Sequence, residues 1–166
     1  MPQIWHLLYR SEQAYEMDTA DLMKLLFDAR TFNSENGITG LLLYRNGHFM
    51  QLLEGEQPML KLLYGWIAAD PRHRNPVLEI DAPAGERLFP EWKMGYAEAP
   101  RIEGRAALYG TESEHEALQI LSALVRDNNC AQRLMTFIES SAPGGRSFES
   151  IACDKPPLEG EGVRDD

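Results

Sequence analysis

The feature that most constrains the fold is a pair of apolar runs that flank the dipeptide Asn46-Gly47. Asn-Gly is well suited to a two-residue type I′ turn, because both central residues of that turn need positive φ. The sequence therefore predicts a tight β-hairpin over residues 37–55. If Asn46 and Gly47 form the turn, Leu42 faces Gln51 across the ribbon.

One face of this predicted hairpin carries a single polar side chain, the amide of Gln51. Alternation along the strands places six residues on that face: Gly40, Leu42, Tyr44, Phe49, Gln51 and Leu53. An amide that can both donate and accept hydrogen bonds needs partners when it lies on a buried face. Gln51 is therefore the first candidate for a functional residue.

The residues before the hairpin predict a strand and an amphipathic helix. Residues 4–9 are apolar and aromatic and indicate a strand that ends at Tyr9. Asp18 or Thr19 caps the helix, whose apolar stripe has helical spacing: Leu22, Leu25, Leu26 and Ala29. Continued by one turn, the stripe reaches Asn33, a polar residue where an apolar one is due.

The residues after the hairpin predict a second helix and two more strands. Pro58 suits the first turn of that helix, and Pro71 ends it. The strands cover residues 77–80 and 92–97, and the second has Trp92, Met94 and Tyr96 on one side. The order β-α-β-β-α-β-β predicts an α+β, ferredoxin-like fold with a five-stranded mixed sheet and both helices on one face.

Two shorter helical patterns follow, the first beginning with the capping-box spacing of Thr111 to Glu114. We expect them to form a helical hairpin over the other face of the sheet, because an uncovered apolar face would aggregate. The predicted organisation is a core domain over residues 1–100, a helical extension over 101–141 and a flexible polar tail over 142–166.

Composition argues against several classes of partner. The formal net charge of −10 disfavours nucleic acid, since binding to a phosphate backbone depends mainly on Lys and Arg. Cys130 and Cys153 lack metal-ligand spacing and are too few for a disulfide framework. We therefore expect no metal and a reduced, cytoplasmic setting. The chain shows neither a signal peptide nor an apolar run of membrane-spanning length, so we expect no membrane partner.

Motifs spread over residues 3–98 together resemble the BLUF family, the sensors of blue light using FAD. A lone Ile-Thr-Gly motif would be weak evidence of membership, but the whole set of motifs has the order and spacing of the family. The motifs are Tyr9 with Ser11, Asn33, Gly37-Ile38-Thr39-Gly40-Leu41-Leu42-Leu43-Tyr44, Phe49-Met50-Gln51-Leu52-Leu53-Glu54-Gly55, Asp70-Pro71-Arg72-His73 and Trp92-Lys93-Met94-Gly95.

The resemblance implies a flavin bound non-covalently between the two helices above the sheet. FAD is the expected cofactor, with FMN or riboflavin as alternatives. Tyr9 matches the tyrosine that gives an electron and a proton to the excited flavin, and Gln51 matches the glutamine that bridges this tyrosine and the flavin. Asn33 matches the asparagine at the flavin's other polar edge. Gly40 would then leave space for something flat above the sheet.

The resemblance also implies roles for residues around this centre. Asp70 and Arg72 match second-helix positions near the C2=O side of the ring, and Leu42 is expected to contact the cofactor. Met94 matches the residue that relays the change to the last strand, and Trp92 the tryptophan that can exchange with it.

The function that this resemblance implies is a blue-light photoreceptor and not an enzyme. It would signal through a Tyr-Gln-flavin hydrogen-bond network to a separate partner protein or to its own oligomer, most simply a homo-oligomer. A ferredoxin-like ligand-binding or assembly module without photochemistry is the alternative from the residues alone. A small acyl-phosphate hydrolase is disfavoured, because the loop Arg10-Ser11-Glu12-Gln13 places Glu12 in a would-be anion site.

Overall fold

The computed structural model describes residues 2–99, 108 and 110–139, and the fold concerns these residues. The predicted boundary near residue 100 and the predicted tail over 142–166 lie outside them. The elements in chain order are β1 (Trp5–Gln13), α1 (Thr19–Glu35), β2 (Thr39–Arg45), β3 (His48–Gly55), α2 (Gln57–Ala69), β4 (His73–Pro83), β5 (Gly95–Glu98), α3 (Glu114–Leu124) and α4 (Asn129–Glu139). The predicted βαββαββ order followed by two helices is confirmed.

The five strands form one mixed sheet in the order β4-β1-β3-β2-β5. Strands β2 and β5 are parallel, whereas the other neighbours are antiparallel. The hairpin has the predicted register, with Leu42 opposite Gln51. Asn46 and Gly47 have φ of 47° and 80°, as a type I′ turn requires.

Helix α1 has a side-chain cap at its start and a glycine with positive φ just after its end. Asp18 is the N-cap, and its carboxylate accepts a hydrogen bond of 2.8 Å from the backbone N–H of Asp21. The chain leaves the helix through Gly37, whose φ of +63° favours glycine. Between these ends, Asn33 is fully buried with the apolar stripe, so the polar position singled out in the sequence faces inward.

Each face of the sheet has its own apolar core. Under α1 and α2, the sheet contributes Leu7, Tyr9, Leu42, Phe49 and Leu53. On the other face, Leu8, Leu41, Leu43, Met50 and Leu52 pack against α3 and α4. The predicted helical hairpin therefore covers the second face, and this burial supplies most of the attraction between the layers.

A buried arginine fastens α4 to the end of β2. The Arg45 guanidinium is 1% exposed and donates to the carbonyl oxygens of Phe137, at 3.1 Å, and Ile138, at 2.9 Å. Carbonyls in the last turn of a helix have no partner within the helix, and a cation there also opposes the negative end of the helix dipole.

The last strand is shorter than the sequence predicts. It begins at Gly95, so Trp92 and Met94 lie in an irregular segment before it. The backbone of this segment does not form strand pairs. The Trp92 carbonyl accepts from the distant Gly40 N–H at 3.0 Å, and the Trp92 N–H donates to the nearby Phe89 carbonyl, as in a turn, at 3.2 Å. Trp92 packs with the core on the α3–α4 side and Met94 with the core under α1 and α2, so the prediction that they share a side is wrong.

Other boundaries also differ from the sequence-based predictions. Strand β1 continues to Gln13, and β4 begins at His73, because the two strands pair along this length. The N-cap of α3 is Ser113 rather than Thr111, since the Ser113 hydroxyl accepts from Glu116 N–H at 3.2 Å.

Gly40 is required by a neighbouring strand and not by a ligand. A Cβ atom at this position would lie 2.0 Å from the backbone oxygen of Leu52. The interpretation of Gly40 as space for a flat molecule is therefore wrong, because the missing side chain allows close approach of the β3 backbone.

Candidate functional site

A cavity of about 220 Å³ lies between α1 and α2, above the sheet face that carries Gln51. Six of the residues predicted from the sequence line it: Tyr9, Asn33, Leu42, Gln51, Asp70 and Arg72. Three larger cavities, of about 520, 480 and 420 Å³, contain none of these six residues, although Trp92 and Met94 line the first of them. The chemistry of the lining, rather than its volume, locates the site.

A chain of polar contacts crosses the floor of this cavity. Tyr9 and Gln51 are directly opposite on β1 and β3, and the buried Tyr9 hydroxyl donates to Gln51 Oε1. Gln51 Nε2 in turn donates to Met94 Sδ at 3.2 Å. A thioether is a weak acceptor, so the amide has a strong partner on one end and a replaceable partner on the other.

The environment of Tyr9 keeps its phenol neutral. The side chain is fully buried, and burial raises the pKa of Tyr9 far above its ordinary value, with the neighbouring Tyr64 and the Asp70 carboxylate acting in the same direction. Tyr9 therefore holds its proton at any physiological pH and shares it with Gln51 through their hydrogen bond.

Asn33 offers the cavity an acceptor. Its Nδ2 donates to the Lys93 carbonyl at 2.6 Å, which ties α1 to the irregular segment before β5. Its Oδ1 is buried and has no partner among the described residues. An unpaired buried acceptor is costly, so this oxygen is suited to a ligand that brings an N–H group.

Asp70 and Arg72 form an ion pair at the end of the cavity. They follow α2, which ends at Ala69, so their assignment to the helix is wrong, and both side chains line the cavity. Arg72 Nη2 lies 2.6 Å from Asp70 and Nη1 lies 3.6 Å from Asp28. Burial opposes ionisation of Asp70, but hydrogen bonds and charge from Arg72 outweigh it and lower the pKa of Asp70.

His73 also lines the cavity, although the sequence analysis assigns it no role beyond its place in a motif. Its Nδ1 lies 2.8 Å from the Ser11 hydroxyl, and its ring stands edge-on to Tyr9 at 6.4 Å. Burial lowers the pKa of His73, and the charge of Arg72 adds to this against the opposing Asp70. The imidazole is therefore neutral at pH 7. The signal for this role was its place in the Asp70–His73 motif.

An aromatic pair at the cavity was also missed from the sequence. Phe32 on α1 and Trp66 on α2 meet edge to face with centroids 5.2 Å apart, and both line the cavity. Trp66 is 53% exposed. Phe32 lies three residues beyond Ala29, the last apolar residue of the stripe predicted for α1, and Trp66 lies three residues beyond Leu63 on α2. Helical spacing could therefore have identified both.

These features suit a planar aromatic molecule with a polar edge. The two helices supply apolar walls, while Asn33 and Gln51 supply polar groups at the floor. In the described part of the chain, no group of three or more His, Cys, Asp or Glu side chains is placed to hold a metal ion. The helices described there also include none that is long and apolar enough to cross a membrane.

Comparison with known proteins indicates the same kind of ligand as the geometry of the cavity. Residues 4–95, more than half of the chain, match the family model described as BLUF, sensors of blue-light using FAD. The chain therefore belongs to the BLUF family of flavin-binding blue-light sensors. FAD is the cofactor of the family, as predicted, and the matched unit is a sensor rather than an enzyme.

Curated relatives share this unit within longer proteins. Photoactivated adenylate cyclase subunit beta of Euglena longa is 40% identical over 89 residues, which are 53% of this chain and 10% of that protein. The blue light- and temperature-regulated antirepressor BluF of Escherichia coli (strain K12) is 37% identical over 71 residues, or 43% of this chain and 18% of that protein. The chain thus spans less than a fifth of either relative.

Solved structures have the same architecture. The dark-state structure of the BLUF protein BlrB is 35% identical, with a TM-score of 0.56 over 59% of this chain and 74% of that one. Klebsiella pneumoniae BlrP1, solved with calcium and cyclic diGMP, is 27% identical, with a TM-score of 0.65 over 81% of this chain and 34% of that one. The predicted ferredoxin-like sheet with its helices is confirmed.

Proposed function

We propose that the photochemical pair of this blue-light sensor is Tyr9 and Gln51. The observation that carries the proposal is the buried hydrogen bond from the Tyr9 hydroxyl to Gln51 Oε1, continued from Gln51 Nε2 to Met94 Sδ. A bound flavin supplies blue-light absorption and, once excited, an oxidant strong enough to take an electron from tyrosine.

In this proposal Tyr9 would give an electron to the excited flavin, and its proton would move along the existing hydrogen bond to Gln51. Both return to Tyr9, so no net oxidation remains. The Gln51 amide would be left rotated or tautomerised, with its donor turned from Met94 and free to bind the flavin at O4. One exchanged hydrogen bond is worth on the order of 1 kcal/mol, which is enough to bias an element that is already close to balance.

The other cavity residues hold the cofactor in this proposal. Asn33 Oδ1 accepts from a ring N–H, since it has no partner among the described residues. Asp70 and Arg72 would hold a further polar group of the cofactor, and the lowered pKa of Asp70 keeps its carboxylate charged. Leu42 forms part of the apolar floor.

The signal leaves the site through the segment that carries Met94 and Trp92. Met94 contacts Gln51, whereas Trp92 stacks on Phe89 with centroids 5.4 Å apart and packs with the core beneath α3 and α4. A change at Met94 is therefore coupled by three residues of chain to the layer that holds the helical hairpin.

The proposed output is docking to a separate signalling protein or a change in self-association as a homo-oligomer. Large apolar side chains are exposed on α1, on α3 and directly after α3: Met23, Phe27, Leu118 and Val125. Such residues are suited to a protein interface. Buried Cys130 forms no disulfide with any described residue, which supports a cytoplasmic setting. Gel filtration in the dark and under blue light should show different profiles, and identical profiles would argue against self-association.

The experiment that tests the proposed function is a light-minus-dark absorption spectrum of protein loaded with FAD. We expect a yellow protein whose flavin band moves reversibly to the red, because the new hydrogen bond to O4 stabilises the excited state more than the ground state. A protein that binds no flavin on reconstitution, or binds it without a shift, would refute the proposal. Parallel reconstitution with FMN and riboflavin decides between the cofactors.

A further inference from the structure

Glu54 is a buried carboxylate with an unusual set of partners. It is 0% exposed and lies on β3 three residues after Gln51, so its side chain is on the opposite face of the sheet. Its Oε2 accepts from Leu88 N–H at 2.5 Å, and its Oε1 accepts from Phe89 N–H at 2.9 Å and from the Thr39 hydroxyl at 3.2 Å.

A histidine and an arginine complete this cluster. His6 Nε2 lies 2.9 Å from Glu54 Oε2, although the two atoms do not have the geometry of a hydrogen bond. Arg87 donates to the Thr39 hydroxyl and to the Glu54 and Gly37 carbonyls, each at 2.8 Å. Residues 87–89 are thus fixed to the ends of β2 and β3 from both sides.

Residues 87–89 are joined by a short stretch of chain to Met94, the residue that contacts Gln51. Phe89 stacks on Trp92, the Trp92 carbonyl accepts from Gly40 N–H, and two residues later Met94 Sδ accepts from Gln51. Strand β3 therefore holds the segment 87–94 at both ends. Glu54 binds the first end on one face of the sheet, and Gln51 contacts Met94 at the other end on the opposite face.

Glu54 also lies close to the helical hairpin. Burial and the charge of the Glu54 carboxylate raise the pKa of the Cys130 thiol, in the first turn of α4, to about 12. The carboxylate is therefore placed where the irregular segment, the sheet and α4 meet.

We propose that Glu54 is a positioning residue for the photocycle. By holding the backbone N–H groups of Leu88 and Phe89, it keeps the segment in the arrangement that places Met94 against Gln51. This inference rests on the proposed function. Return from the light state requires Met94 to come back to Gln51, so the hold of Glu54 on the segment sets how fast the dark state recovers.

The test is dark recovery of FAD-loaded Glu54→Gln after a blue-light pulse. A carboxamide has one acceptor oxygen and one donor nitrogen, so in either orientation one of the two backbone N–H groups loses its acceptor. We expect a flavin band and red shift like those of the wild type, with recovery slower by about threefold to tenfold. Introduced into Met94→Ala, the same change should have no further effect on recovery.

Glu79→Gln is the matched control. Glu79 is a partly buried carboxylate that pairs with Arg10 and Arg133 and bonds to no residue of the clamped segment, so its recovery should equal that of the wild type. If Glu54→Gln does not fold, Arg87→Gln loosens the same segment by a different route, because it removes the bonds from residue 87 to Thr39 and to the Glu54 and Gly37 carbonyls. It should also slow recovery, again only when Met94 is present.

Two results would overturn the inference: recovery at or above the wild-type rate, or the same slowing with and without Met94, which would indicate general destabilisation. Failure of the proposed function itself looks different, because the wild type would then show no light-induced shift.

Discussion

Replacing Tyr9 with Phe should leave a yellow, flavin-binding protein that has lost its blue-light red shift altogether. The ring stays to fill the core under α1 and α2, but the hydroxyl that donates to Gln51 Oε1 is gone. Without this proton and electron donor, Gln51 has no route to its second arrangement. The measurement is the visible light-minus-dark spectrum at equal flavin loading.

Tyr44→Phe is the matched control for this change. Tyr44 lies on the same face of the sheet, but its hydroxyl donates to Gln13 at 3.2 Å, away from the cavity. This variant should shift like the wild type. A normal photocycle in Tyr9→Phe would contradict the donor role of Tyr9.

Asn33→Leu should weaken flavin binding on the order of tenfold to a hundredfold, because the ring loses a buried hydrogen-bond partner. The substitution removes the Oδ1 acceptor that has no partner among the described residues, together with the bond to the Lys93 carbonyl. Titration of flavin-free protein with FAD, followed by quenching of flavin fluorescence, measures the affinity.

The same helix supplies the control for Asn33. Asn36 at the end of α1 donates from Nδ2 to the Phe32 carbonyl at 2.8 Å and does not line the cavity. Asn36→Ala should keep the wild-type affinity. Unchanged affinity in Asn33→Leu would remove this residue from the flavin site.

Local chemistry explains which parts of the fold the sequence predicts. The type I′ turn fixes the hairpin register, so the partners of Gln51 follow from counting along two strands. The helical period alone turns Asn33 inward, because its position is decided by the apolar residues one and two turns before it. These rules need no knowledge of distant residues.

Long-range contacts explain what the sequence does not predict. The segment before β5 alternates like a strand, but bonds from Gly40 to Trp92 and from Asn33 to Lys93 hold it in an irregular path. The need for glycine at position 40 depends on the backbone of β3.

The role of Glu54 could not be predicted from the sequence for the same reason, because it depends on long-range contacts. In the sequence it is an acidic residue at the end of an apolar run, and nothing nearby indicates its role. Its backbone partners lie 34 and 35 residues away, so only the folded chain shows that it holds the segment that leads to Met94.

The most direct test of the central claim is the light-minus-dark infrared difference spectrum of the FAD-loaded protein. If Gln51 turns its donor from Met94 toward the flavin, the C4=O stretch should move to lower frequency under blue light and return in the dark, because a stronger hydrogen bond weakens the carbonyl bond. The shift should be absent from Gln51→Leu. An unmoved C4=O band in wild-type protein that still shows the visible red shift would contradict the account.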